Sequence, residues 1–359
     1  MKQYLSLLCI LQFFFVSAQA QLKTENLVIV TIDGVRWREV FNGADSALVN
    51  DAGYTADPML TQLEFWDSSL SERRRKLLPF FWNILVKQGS LYGNRNFYNK
   101  VNVANFYKFS YPGYNELFTG YADPAINSNK AIEDNNVNVF EFLNEVPGYK
   151  DSVVAFTSWD IFPSILASRR NELPVYSGYA PLPDSVLNPE VNLINQLQEK
   201  VITNKKDTRY DELTFLAATT YLQQHHPKVI LVSFGEPDES AHAGEYDKYL
   251  QEINNADRMI GRLWYFIQTD TSYKNKTALL ITTDHGRGKK SNSWTGHGTF
   301  INGSRKTWLG IIGPDINPGG EIKKPGKLFE KQVAASMASL LGLSFVTDHP
   351  VAKPIDFKK

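Results

Sequence analysis

Short, almost wholly apolar runs alternate along this chain with longer stretches in which apolar positions recur every three or four residues. The runs at 27–32 (LVIVTI), 152–156 (SVVAF), 229–234 (VILVSF), 278–283 (ALLITT) and 308–312 (WLGII) are rich in β-branched residues and predict strands. They lack apolar–polar alternation, as expected where both faces of a parallel sheet are covered. From 246 to 267, Tyr246, Tyr249, Leu250, Ile253, Ala256, Ile260, Leu263 and Ile267 form one stripe at helical spacing. Further helices are predicted over 77–87, 213–224 and 330–341, the last ended by Gly342. Such alternation predicts an α/β protein, a three-layer α/β/α sandwich around a mostly parallel central sheet. The segment 172–192, rich in Pro and Asn and without a period, reads as a loop or small cap on a single domain spanning 21–359.

The N-terminal pattern differs in kind. One Lys precedes an apolar run from Leu5 to Val16, and Ala18-Gln19-Ala20 has the small-x-small form of a signal-peptidase site. The run is shorter than the about 20 apolar residues of a membrane span, so residues 1–20 are expected to be a cleaved signal peptide, with no transmembrane segment in the mature chain. The single cysteine, Cys9, lies inside that run. A mature chain without thiols can hold a metal only through His, Asp, Glu or hydroxyl groups. Export without disulfides fits a bacterial periplasm or exterior. The 38 basic and 38 acidic residues cancel, which argues against a nucleic-acid partner.

Candidate chemistry collects where the predicted strands end. Asp33 follows the first strand, Asp238 lies four residues past 229–234, and Asp284-His285 follows 278–283. In an open α/β sheet ligands bind beyond the carboxyl ends of the strands, so these segments fall on one edge. Asp238 and His242 are spaced i, i+4, which puts both on one side of a helical turn. His297 lies between two glycines, and Ser110 opens a plausible helix in KFSYPGYNELFT, where backbone N–H groups can hold an anionic oxygen. Together they offer oxygen and nitrogen ligands for two divalent cations beside a hydroxyl, the equipment of a phosphate or sulfate ester hydrolase.

The ordered set Asp33-Gly34, Ser110-Tyr111-Pro112, Glu236-Pro237-Asp238 with His242, Asp284-His285-Gly286 and Gly296-His297-Gly298 resembles the alkaline phosphatase superfamily. Within it, the pattern is closest to the nucleotide pyrophosphatase/phosphodiesterase branch, with sulfatases as relatives. The resemblance implies an alkaline phosphatase-like fold and two divalent metals, usually zinc. One would be held by Asp238, His242 and His297, the other by Asp33, Asp284, His285 and the Ser110 oxygen. It further implies that Ser110 attacks phosphorus and forms a phospho-serine that water hydrolyses. That branch carries an Asn after the nucleophile to bind the phosphoryl oxygen, and Asn127 or Asn129 could serve. Arg287 and Lys289 could grip extra negative charge on a monoester or stand as solvated loop cations. Sulfatases need Arg where Tyr114 stands, which argues against maturation of Ser110 to formylglycine.

The expectation is therefore an exported, two-zinc hydrolase of phosphoric esters, monoester or diester, acting on a small-molecule, glycan-linked or lipid-linked substrate. A sulfatase-type hydrolase is the alternative enzyme. A metal-binding protein that keeps the fold without turnover is the alternative of another class.

Overall fold

The structure, a computed structural model, describes residues 22–183, 188–200 and 207–358. The expected signal peptide lies outside these residues. In chain order the strands are β1 (Asn26–Ile32), β2 (Ser90–Tyr92), β3 (Asn99–Asn102), β4 (Val153–Thr157), β5 (Val175–Ser177) and β6 (Val229–Phe234). They continue with β7 (Thr277–Thr282), β8 (Lys306–Thr307), β9 (Leu309–Ile312), β10 (Gly320–Glu321) and β11 (Gly326–Phe329). Eight form the main sheet in the order β10-β2-β9-β7-β1-β6-β4-β5, and β11-β3-β8 form a smaller one. In the main sheet only β9 runs against its neighbours, pairing antiparallel with β7 and β2.

Each central strand feeds two cores, which explains the missing alternation in its sequence. On one face Val28, Val30 and Ile32 of β1 join Ile230, Val232 and Phe234 of β6 and the inner stripe of the Tyr246–Thr269 helix. On the other, Leu27, Ile29, Val229 and Leu231 pack with Tyr111, Tyr114, Leu117 and Phe118 of the Ser110–Thr119 helix. The result is the expected three-layer α/β/α sandwich. Burying apolar surface at roughly 25 cal/mol per Å² on both faces makes this sheet the main source of stability.

Two stretches depart from the sequence reading. Within 172–192, expected to be loop or cap, Val175–Ser177 instead forms the edge strand β5, parallel to β4, and residues 189–192 open the Pro189–Lys200 helix. Three residues are too few to carry a period, so the pattern could not reveal the strand. Over 77–87 the expected continuous helix is broken. One helix ends at Leu77, and a π-helical turn, Phe81–Leu85, follows with Val86–Gln88. The buried Asp257 carboxylate accepts the Phe80 and Phe81 N–H groups at the break (2.7 and 3.1 Å). Among the described residues no helix is long and apolar enough to cross a membrane.

Candidate metal centre

The parallel strands β1, β6 and β7 bring their carboxyl ends to one edge, and the expected acidic residues follow directly. Asp33 is the first residue past β1, and its N–H donates to the Phe234 carbonyl at the end of β6 (3.0 Å). Gly34 then turns with φ +64°, and any Cβ there would strike Asp238 Oδ1. Asp238 and His242 sit on the Glu236–Ala243 helix, whose start is capped reciprocally. Asp211 accepts the Gly235 and Glu236 N–H groups (2.8 and 3.0 Å), and Glu236 accepts the Asp211 N–H (2.8 Å). Ser110 opens a helix whose ten residues are all buried. That helix can lie across the Asp284-His285 turn because residue 113 is glycine: a Cβ would come within 2.5 Å of the Asp284 carbonyl oxygen.

His285 is the hub. Its Nδ1 lies 3.1 Å from the Gly286 carbonyl, which can only accept, so the proton is assigned to Nδ1 and Nε2 presents a lone pair. Around Nε2 stand Ser110 Oγ at 3.2 Å, Asp33 Oδ1 at 3.3 Å and Asp284 Oδ2 at 3.4 Å. The His297 ring stacks on it with centroids 3.7 Å apart. His297 Nδ1 meets the Lys108 carbonyl at 2.9 Å, so its Nε2 lone pair faces His242 Nε2 at 3.1 Å. His242 Nε2 is also 3.1 Å from Asp238 Oδ2.

Lone pairs thus face lone pairs, and Asp33 Oδ1 and Asp284 Oδ2 are buried without a hydrogen-bond donor. Burial, reinforced by Asp284 and Asp238, pushes the Asp33 carboxyl well above its usual range. Burial and then Asp238 push Asp284 up to about 8. Burial lowers His297 to about 4 and, together with His297, drives His285 well below the ordinary imidazole range. Neutral imidazoles and crowded carboxylates are metal-ligand forms, and a divalent cation would answer both the repulsion and the orphaned oxygens. The donor atoms fall into two groups, Asp33–Asp284–His285 and Asp238–His285–His297, with His285 common to both. His242 flanks the second group.

The remaining expected residues divide. Both Asn127 and Asn129 are exposed, but Asn129 Oδ1 accepts the Tyr111 N–H at 3.0 Å, which brings it against the start of the Ser110 helix. Arg287 is not a solvated cation. It is buried, ion-pairs with Asp238 Oδ1 and donates to the Trp294 and Thr295 carbonyls. Burial pushes the Asp238 carboxyl up, but Arg287 together with His242, His297 and His285 outweighs it and holds Asp238 well below the usual carboxylate range. Lys289 is exposed.

Sequence reasoning missed the residues that orient the ligands. The Tyr114 hydroxyl donates to Asp33 Oδ2 at 3.2 Å, and Ser233 and Thr31 continue that chain. Tyr114 lies one helical turn past Ser110, and that spacing was the available signal. Also missed were Phe106 and Phe300, 64% and 93% exposed, with ring centroids 6.4 Å apart. They stand on the loops carrying Ser110 and His297, which Lys108 fastens together by donating to the Thr299 carbonyl at 3.0 Å.

Residues 182–342 match the Metalloenzyme superfamily. The chain is 26% identical over 162 residues to a 2,3-bisphosphoglycerate-independent phosphoglycerate mutase of Trichormus variabilis, a match covering 40% of this chain and 28% of that enzyme. The aligned part is therefore well under a third of that relative's length. Among solved structures, the phosphonate monoester hydrolase of Agrobacterium radiobacter superposes with a TM-score of 0.55 at 15% identity, over 89% of this chain and 74% of that one. Murine ectonucleotide pyrophosphatase/phosphodiesterase 5, an inactive form with AMP, gives 0.55 at 12% identity over 91% and 97%. The lipoteichoic acid synthase LtaP of Listeria monocytogenes gives 0.55 at 12% over 89% and 72%. The family match thus rests on residues 182–342, and the fold across the described residues is one shared with these solved structures.

Proposed function

We propose that this protein is an exported, metal-dependent hydrolase of phosphoric esters in which Ser110 is the nucleophile. The observation that carries the reading is the Ser110 hydroxyl at a helix start, 3.2 Å from His285 Nε2 and beside the donorless oxygens of Asp33 and Asp284. Asp33, Asp284, His285 and Ser110 would hold one divalent cation, and Asp238, His242 and His297 a second. A thiol-free oxygen and imidazole set suits zinc, with manganese as the nearest competitor. Bound there, the ions would lower the pKa of the serine hydroxyl and of water and stabilise charge on the attacking and leaving oxygens.

The chain's own residues supply the rest. Ser110 Oγ would attack phosphorus in line, the ester oxygen would depart as the alcohol, and water would then cleave the phospho-serine to release phosphate from a monoester or a phosphate monoester from a diester. A phosphoryl oxygen would lie against the N–H groups at the start of the Ser110–Thr119 helix, where Asn129 stands. Tyr114 would fix the Asp33 carboxylate, and Arg287 would fix Asp238. The two histidines, held neutral by burial, would remain lone-pair donors across the neutral range.

Turnover of p-nitrophenyl phosphate, bis-p-nitrophenyl phosphate and p-nitrophenyl sulfate by the metal-loaded protein tests the reading. Phosphoric ester hydrolysis should dominate. Dominant sulfate release would replace it with a sulfatase, and two bound metals with no turnover would leave a binding protein. Interconversion of phosphoglycerates, the activity in the relative's name, should not appear.

A further inference from the structure

We propose a second anion site, separate from the metal centre, that takes a single tetrahedral oxyanion, phosphate or sulfate, in the pocket between Arg38, Lys289 and Lys306. The closed part of the pocket is small, about 20 Å³, and it opens to solvent, so an anion would sit in its mouth. Its walls are Arg36, Trp37, Arg38, Arg287, Lys289 and Lys306, delivered by three separate segments. No wall residue is acidic. In a chain whose charges cancel overall, five cationic side chains around one small cavity are a departure that needs an account.

Two of the five are answered from within. Arg36 ion-pairs with the buried Glu39, and Arg287 with Asp238. The other three are not fully answered. Arg38 reaches only the partly buried Asp45 at 3.2 Å, and its buried Nε has no acceptor. Among the described residues no carboxylate lies within ion-pairing distance of the Lys289 or Lys306 ammonium. Burial, then the charges of Arg95, Lys289 and Arg38, press the Lys306 ammonium below its ordinary range. Arg95, set against Trp37, likewise has a buried Nε without an acceptor.

A solvated basic face would spread its cations into water. These line one cleft, Arg38 and Lys306 partly buried and Lys289 exposed, and like charges held near one another cost free energy that one multiply charged anion would return. Several cationic residues lining one small cleft suit the three or four acceptor oxygens of a phosphate or sulfate group. The pocket is too small for an extended polyanion. Arg287 joins it to the catalytic side, because the guanidinium that forms one wall also holds Asp238. The anion could be free phosphate or sulfate, or a second anionic group on the substrate.

The test is calorimetric titration of the full-length, metal-loaded protein with inorganic phosphate, repeated with Lys306→Gln and Arg38→Gln. Two binding events per chain are expected, one of them weakened at least tenfold in either variant while the melting temperature holds. Should Lys306→Gln fail to fold, the partly exposed Arg38→Gln supplies the same reading. A single event of equal affinity in all three proteins, or no saturable binding, overturns the proposal. Binding is read without turnover, so failure of the hydrolase reading would leave this result standing. Kinetics then separates the two sources. If the pocket holds a distal group, Lys306→Gln raises KM for an ester with a second phosphate or sulfate but not for p-nitrophenyl phosphate. If it holds the free ion, both KM values stay unchanged.

Discussion

Ser110 is where position rather than residue type carries the chemistry: serine is common, but here its oxygen faces a neutral imidazole inside a nest of carboxylates. Ser110→Ala should keep its melting temperature and bound metal yet lose turnover by about a thousandfold or more, the scale lost with a covalent nucleophile. Undiminished turnover in that variant would remove Ser110 from the mechanism. A second residue tests burial alone. Asp257, under the break at Phe80, is pushed up to about 7 by burial, against which its backbone hydrogen bonds work. A carboxyl raised in the folded state gives stability that is present below its unfolded value, near 4, and lost as pH rises through about 7. Urea unfolding should therefore show wild type losing ground to Asp257→Asn between about pH 4 and pH 7, by up to about 1.4 kcal/mol per pH unit. A parallel pH course for the two proteins would disprove it.

At the scale of elements, the Ser110–Thr119 helix depends on contact more than on propensity. Alanine is favoured over glycine inside a helix by about 1 kcal/mol, yet Gly113→Ala should destabilise, because the new methyl meets the Asp284 carbonyl. We expect a loss of about 2 kcal/mol in denaturant melts and a larger fractional fall in turnover, since helix and turn must part. A stabilised, fully active variant would show that the two elements have slack between them. The loops carrying Phe106 and Phe300 invite another measurement. Phe300→Ala should raise KM for bis-p-nitrophenyl phosphate several-fold with little change in kcat, as loss of an aromatic contact outside the reacting bond would. Strands and long helices were legible because their apolar runs and stripes span enough residues to fix a period. The edge strand β5 and the π-helical turn were not. One is too short, and the other is shaped by Asp257, some 180 positions away in the chain.

Across the whole molecule, three carboxylates at one sheet edge cannot all ionise in a buried space without a cation, so metal and fold should be coupled. Chelation should lower the melting temperature by several degrees and zinc should restore it, a gap that Asp284→Asn should narrow. An identical melting curve with and without chelator would separate the cluster from metal binding. The one-dimensional pattern by itself determined the layered α/β architecture and the residue types that follow β1, β6 and β7, because burial on both faces writes itself into each strand. It also placed Asp33, Asp238 and Asp284 on a common edge, since parallel strands end together. Only the tertiary structure decided that His285 stands between two donor groups, that Asn129 rather than Asn127 meets the helix start, and that Arg287 turns inward to Asp238. It alone assembled the basic pocket, from segments centred near residues 37, 288 and 305. Those arrangements rest on distances between side chains far apart in sequence, and a periodic pattern carries no record of such distances.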